Sequence, residues 1–203
     1  MAQLYFHHAS MNSGKSAHLL QVAHNYKERG MTTCLITAGI DNRYGVGTIA
    51  SRIGLAAPAK TFSPDTNMFD LIQGDCKTVP FDCILVDEAQ FLTRTQVMDL
   101  ARIVDKYHVP VMCYGLRTDF KAELFEGSNA LFCIADKFVE MKGICHCGRK
   151  ATMVAKLDKD GIMVAFDSPQ IEIGGNDRYV SMCRKHYFQE HDRMVEMRKV
   201  HEH

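Results

Sequence analysis

Residues 4–16 read Leu4-Tyr5-Phe6-His7-His8-Ala9-Ser10-Met11-Asn12-Ser13-Gly14-Lys15-Ser16. The segment Gln3–Phe6 has the apolar content of a strand, and Lys15–Arg29, closed by Gly30, has the pattern of a helix. A loop of small residues between them that ends in Gly-Lys-Ser is the arrangement of a phosphate-binding loop. In such a loop the backbone N–H groups of the turn and of the helix N-terminus face phosphate oxygens. Lys15 would reach the β and γ phosphates, and the Ser16 hydroxyl can ligate Mg²⁺. Ala9 stands at the first position, where Gly is usual, so the loop can form only if Ala9 keeps a negative φ.

Outward from this loop, the chain alternates strand and helix patterns as far as residue 136. Thr32–Thr37 and Cys83–Val86 read as strands. Residues 93–108 place Val97, Leu100, Val104 and Tyr107 at helical spacing, and Pro110 ends that helix before the strand Val111–Tyr114. Strand, helix and strand in succession imply a parallel sheet covered by helices, an α/β domain over residues 1–136. From residue 137 the pattern changes. Phe138–Met141, Ala151–Leu157 and Ile162–Val164 are short β-type runs, the last two joined by the turn sequence Asp158-Lys159-Asp160-Gly161. Residues 137–203 therefore read as a small antiparallel appendage with a long loop over Ala165–Asn176 and a C-terminal helix. The irregular stretch Gly39–Pro64 is too long for a simple connector, and loops of that length are often functional or mobile.

The run Cys83-Ile84-Leu85-Val86-Asp87-Glu88-Ala89-Gln90 is an apolar strand that ends in two acids. Parallel strands deliver their C-terminal ends to one edge, so Asp87 arrives beside the phosphate loop, where it can hold Mg²⁺. Glu88 is then a carboxylate able to take a proton from an attacking hydroxyl or water. Alone, an Asp-Glu pair is as readily a solvated turn; the loop at residues 9–16 is what gives it a partner.

A third cluster is Cys145-His146-Cys147 with Cys183-Arg184-Lys185-His186. Three thiolates and an imidazole at two close-paired knuckles suit a tetrahedral zinc site, and four protein ligands make the metal structural. The spacing leaves open whether His146 takes the place of one Cys, and whether the thiols stay reduced and unliganded. The other cysteines, Cys34, Cys76, Cys83, Cys113 and Cys133, are scattered singly and read as ordinary small residues.

Charge narrows the partners. Of 203 residues, 24 are Lys or Arg and 24 are Asp or Glu, so the formal net charge is zero with the ten His neutral. A protein that holds nucleic acid or an anionic membrane mainly by charge usually carries a basic excess. No apolar run approaches the roughly 20 residues that span a bilayer, and the N-terminus lacks a signal-peptide pattern, so the expected compartment is the cytoplasm.

Taken together, these residues resemble the cellular-type, or type II, thymidine kinases, in particular the bacterial members. The resemblance covers nearly the whole chain. It is carried by residues 4–16, by Leu85-Val86-Asp87-Glu88-Ala89-Gln90-Phe91-Leu92, by Cys113-Tyr114-Gly115-Leu116-Arg117-Thr118-Asp119-Phe120, and most specifically by Ile173-Gly174-Gly175-Asn176-Asp177-Arg178-Tyr179-Val180-Ser181-Met182-Cys183-Arg184-Lys185-His186. It implies a RecA-like P-loop core, a small zinc-containing domain with a lasso loop over the nucleoside, and a homotetramer.

The reaction so implied is transfer of the γ-phosphoryl of ATP to the 5′-hydroxyl of thymidine, and of deoxyuridine. ATP and Mg²⁺ would be held by Ala9, Ser10, Met11, Asn12, Ser13, Gly14, Lys15, Ser16, Asp87 and Gln90. Lys15 and Arg52 would stabilise the transferred group, Arg52 matching the family's loop arginine better than Arg43, and Glu88 would be the base. Met11, Phe91, Leu116, Phe120, Ile171, Ile173, Gly174 and Tyr179 would enclose the pyrimidine, and Cys145, Cys147, Cys183 and His186 would bind a structural Zn²⁺. Thymidine triphosphate is expected as a feedback inhibitor. A competing reading shares the loop and the acids: a RecA-like ATPase whose zinc ribbon binds nucleic acid, with Glu88 orienting a water. The even spread of Lys and Arg argues against it.

Overall fold

The computed structural model of the chain describes residues 1–40, 45–74, 79–166 and 179–201. Its contacts divide the chain into two compact units. The first comprises residues 1–8, 14–117 and 125–141; the second comprises residues 9–13, 118–124 and 142–203.

The first unit is built on β1 (Leu4–Ala9), α1 (Lys15–Glu28), β2 (Thr33–Ala38), β3 (Thr48–Ala50), β4 (Ala56–Pro58), β5 (Lys60–Phe62), α2 (Met68–Gln73), β6 (Cys83–Val86), α3 (Arg94–Tyr107), β7 (Val111–Leu116), α4 (Glu126–Ile134) and β8 (Lys137–Glu140). Six strands form one sheet in the order β5-β2-β6-β7-β1-β8. The β5/β2, β2/β6, β6/β7 and β1/β8 pairings are parallel, as the strand and helix alternation required.

Alternation along the central strands feeds two cores. Ile84 and Val86 face a cluster with Met68, Ile72, Val97, Leu100, Ile103, Ala130 and Leu131, which places α2, α3 and α4 on one face. Cys83 and Leu85 face Leu19 and Leu20 of α1, with Ile49 and Tyr114. Helix α3 begins in a capping box: Thr93 Oγ1 accepts from Gln96 N at 3.2 Å, and Gln96 Oε1 accepts from Thr93 N at 3.0 Å.

Expectations change at two places in this unit, and a helix appears that none of them named. Phe138–Met141 is not part of an antiparallel appendage, because β8 pairs in parallel with β1 at the edge of the main sheet. The stretch Gly39–Pro64 holds the β3–β4 hairpin and the edge strand β5, which runs beside β2. Helix α4 has no strong sequence signal, since Gly127, Ser128 and Asn129 are weak helix formers; its helicity comes from packing.

The second unit adds β9 (Gly143–Ile144), β10 (Lys150–Ala151), β11 (Met153–Lys156), β12 (Tyr179–Met182) and α5 (Arg184–His201). The antiparallel pairs are β9/β10 and β11/β12, over a core of Met153, Ala155, Met163, Met182, Tyr187 and Met194. The turn at residues 158–161 forms: Asp158 Oδ1 accepts from the N–H groups of Asp160 and Ile162, each at 2.9 Å. The expected strand Ile162–Val164 is reduced to a single bridge, Leu157 to Met163. The lasso residues and most of the Ala165–Asn176 loop lie outside the described residues, as do Arg43 and Cys76. Cys34, Cys83 and Cys113 are buried free thiols, and Cys133 is exposed.

Candidate functional site

Gly14 precedes α1 at φ 76°, a left-handed conformation that costs glycine nothing and any larger residue strain. The chain then turns at once into the helix with Lys15, which is only 8% exposed. In the same unit, β6 is followed at once by Asp87, 4% exposed, whose carboxylate accepts from the Ser16 hydroxyl. Its Oδ1 also accepts from Glu88 N at 3.0 Å. Burial pushes the Asp87 carboxyl up to about 7 and the adjacent Glu88 adds to the rise. The Ser16 and Glu88 hydrogen bonds and the Lys15 charge oppose it. A carboxylate so buried beside a hydroxyl and an ammonium has the donor set of a Mg²⁺ and phosphate site.

Glu88 is held by backbone and side chain together. Its φ of 52° and ψ of 37° are left-handed, a strain of about 1 kcal/mol for a residue with a Cβ. The turn it opens, a single 3-10 turn over Ala89–Phe91, buries Gln90 to 2% exposure. Gln90 Nε2 donates to Glu88 Oε2, and Gln90 Oε1 accepts from Leu116 N at 3.0 Å. Gly115 leaves room beside it: a Cβ there would lie 3.0 Å from Gln90 N and 3.1 Å from Oε1. Both ends of the Gln90 amide are engaged within the protein, one on the Glu88 carboxylate and one on the β7 backbone. Leu116 is fixed through its carbonyl, which accepts from Ser128 Oγ at 2.6 Å, and Phe91 meets Phe125 edge to face at 6.0 Å.

The other part of the loop, Ala9–Ser13, belongs to the second unit. Ala9 ends β1 and is absent from the left-handed residues; the positive φ falls on Asn12, at 59°, and on Gly14. The off-pattern Ala is therefore accommodated. Ser13 Oγ donates to Ser10 O at 3.1 Å, and Ser10 Oγ donates to Ala151 O at 3.2 Å. Ser181 Oγ donates to Met11 O at 2.7 Å.

Phe120, 1% exposed, is the aromatic centre of this unit. Tyr179 and Phe166 each meet it edge to face at 6.5 Å, and Lys156 Nζ lies 5.3 Å from its ring centroid. Its carbonyl accepts from Tyr187 Oη at 2.6 Å. Of the residues expected to enclose a pyrimidine, Phe120 and Tyr179 are thus brought together, while Ile171, Ile173 and Gly174 lie outside the described residues. Arg52 sits exposed in the bend between β3 and β4. Lys156, Phe166 and Ser181 escaped the sequence reading. A buried lysine in a strand has no motif, and its only signal is a charge among apolar neighbours.

Cys145, Cys147, Cys183 and His186 bring their ligand atoms within 4.8 Å of one another. Cys147 Sγ and Cys183 Sγ are 3.9 Å apart, and His186 Nδ1 lies 3.3 Å from Cys145 Sγ and 3.6 Å from Cys183 Sγ. Tetrahedral zinc with bonds of about 2.3 Å to sulfur and 2.0 Å to nitrogen requires edges of about 3.5 to 3.8 Å, so the donors fit. Burial opposes ionisation of Cys145, but backbone hydrogen bonds at Cys147 and Cys183 and the His186 side chain outweigh it and bring the thiol to about 5. His146 stacks on His186 at 4.2 Å and is exposed, outside this donor set.

A family model described as thymidine kinase matches residues 2–187. The chain is 56% identical over 187 residues to a thymidine kinase of Vibrio parahaemolyticus, covering 92% of this chain and 97% of that one. It is 55% identical over 187 residues to a thymidine kinase of Yersinia pseudotuberculosis, at 92% and 95% coverage. The thymidine kinase of Salmonella typhimurium is 56% identical over the same length, at 92% and 91% coverage.

Proposed function

This chain belongs to the thymidine kinase family, and on that premise we propose that it transfers the γ-phosphoryl group of ATP to the 5′-hydroxyl of thymidine, giving thymidine monophosphate and ADP. The observation that carries this reading is the pair of adjacent acids with separate partners, Asp87 on Ser16 and Glu88 on Gln90. One acid would serve metal and phosphate, and the next would be the base.

In the reaction the 5′ oxygen forms a bond to the γ phosphorus as the bond to the β,γ-bridging oxygen breaks. The hydroxyl proton passes to Glu88, and ADP leaves with the bridging electron pair. Lys15 and the N–H groups of residues 10–16 neutralise charge on the phosphoryl oxygens. Ser16 and Asp87 are the residues that would hold Mg²⁺, which would supply charge neutralisation to the phosphates. Phe120 and Tyr179, with Met11, Phe91, Leu116 and the lasso residues Ile171, Ile173 and Gly174, would enclose the pyrimidine ring in apolar and aromatic surface. Zn²⁺ on Cys145, Cys147, Cys183 and His186 would be structural. Arg52 would assist at the phosphates, and deoxyuridine would be a second acceptor. A cytoplasmic homotetramer inhibited by thymidine triphosphate completes the reading, with residues 1–136 binding ATP and residues 137–203 carrying zinc and lasso.

The test is ADP release with MgATP, with and without thymidine, with other deoxynucleosides and single-stranded DNA as controls. ADP formed one for one with thymidine monophosphate supports the kinase. Release that ignores thymidine and rises with DNA would replace it by a nucleic-acid-dependent ATPase.

A further inference from the structure

The two metal-ligand knuckles grow out of strands that brace the phosphate loop. Cys145 follows β9, and a Cβ built on Gly143 of that strand would lie 2.6 Å from Ser13 Oγ and 3.0 Å from Ser10 Oγ. Cys183 follows β12, whose Ser181 Oγ donates to Met11 O at 2.7 Å across 170 residues of sequence. Met11 O also accepts from Ser13 Oγ at 3.4 Å. The Met11–Asn12 peptide is planar and trans, so a carbonyl fixed on one side directs the Asn12 N–H to the other. That orientation needs fixing, because Asn12 is in the left-handed region at φ 59°, where a residue with a Cβ does not rest without support.

We infer that Ser181 is a positioning residue for nucleotide binding: its hydroxyl fixes the Met11–Asn12 peptide, and with it the row of loop N–H groups that meets the phosphates. Gly143 assists by leaving room for the Ser10 and Ser13 hydroxyls. The inference rests on the reading of residues 9–16 as a phosphate-binding loop. Neither residue touches the reacting atoms; each acts through the backbone of the loop. The bond is to the Met11 carbonyl and not to the Met11 side chain, the part that would enclose the pyrimidine, so the effect falls on affinity for the triphosphate more than on acceptance of the nucleoside.

The experiment measures MgADP affinity by calorimetry and the KM values for ATP and thymidine, on metal-loaded wild type, Ser181→Ala, Ser181→Thr and Gly143→Ala. Ser181→Ala should weaken MgADP binding and raise the ATP KM by about two- to tenfold, the range of one lost hydrogen bond. The thymidine KM and melting temperature should stay near wild type, and Ser181→Thr should restore nucleotide affinity. Gly143→Ala, which reaches the loop from the other strand, should weaken MgADP binding in the same direction. Unchanged MgADP affinity in Ser181→Ala, or a loss that falls equally on thymidine, would overturn the inference while leaving the kinase reading intact. Wild type that binds no MgADP would overturn both.

Discussion

The amide of Gln90 ties Glu88 to the end of β7: it donates to the Glu88 carboxylate and accepts from Leu116 N at 3.0 Å. A carboxylate in a left-handed turn would otherwise sample several rotamers. Replacing Gln90 with Leu keeps the volume and removes both bonds. We expect kcat to fall about 10- to 100-fold with little change in either KM, the signature of a misplaced base. Steady-state kinetics of Gln90→Leu checks this, and an unchanged kcat would remove Gln90 from the positioning of Glu88.

Glu88→Gln keeps the turn and its hydrogen-bonding reach but cannot take a proton. Turnover should drop by about 10² to 10⁴-fold while MgADP and thymidine still bind. Calorimetry on the inactive variant separates this outcome from misfolding. A near-normal rate would leave the hydroxyl proton to another acceptor.

Gly127 in α4 sits against the backbone that presents Glu88, since a Cβ there would run into the carbonyls of Ala89, Gln90 and Leu92. Gly127→Ala should cost about 1 to 3 kcal/mol of stability, by overpacking, and lower kcat as well. Denaturant titration beside an activity assay tests the pairing; loss of stability with full activity would show that the turn absorbs the shift elsewhere.

His7 is 7% exposed, stacks on Tyr114 at 4.5 Å and lies 5.4 Å from His18, and neither ring nitrogen has a hydrogen-bond partner among the described residues. Burial first, then the charges of His18 and His8, lowers its pKa from 6.5 to about 4. Tyr5 on the same strand is its other ring neighbour. Between pH 6.5 and 4 the unfolded chain takes up a proton that the folded chain refuses, so stability falls as pH falls, by about 1 to 3 kcal/mol from this group. His7→Phe should flatten the decline. An equal acid sensitivity in wild type and variant, measured by urea unfolding from pH 7 to 4, would assign it to other groups.

Cys183→Ser removes one of four donors and should release the metal. Zinc content should fall from about one per chain to none, and melting should drop by about 2 to 4 °C for each kcal/mol lost. Elemental analysis and calorimetry read both; retained metal at full stoichiometry would point to His146 as a replacement ligand.

Much of this was legible in the sequence because the signals were local. The phosphate loop needs a strand, a glycine and a helix start in one run, and residues 4–16 supply them. The two knuckles likewise declared by residue type a cluster that could hold a metal. The misses are non-local. Helix α4 has poor propensity and exists because Ala130 and Leu131 join the core. Strand β8 looked like its sequence neighbours, yet only its pairing with β1 decides its sheet. Ser181 is a small polar residue in an ordinary strand, and nothing in its surroundings in sequence indicates Met11. Gln90 belongs to a local motif, but the anchoring of its amide oxygen depends on a backbone N–H 26 residues later.

The separation of 170 positions from Met11 to Ser181 also sets an order of assembly. A growing chain emerges from the ribosome N-terminus first, at about 5 to 20 residues per second. Residues 9–13 therefore leave the tunnel on the order of ten to thirty seconds before the strand that braces them is made. Helices and strands of the sheet can close in that interval, but the loop between β1 and α1 stays without its clasp until residue 181 has been made. A chain truncated before residue 181 can build most of the sheet and still lack a finished loop.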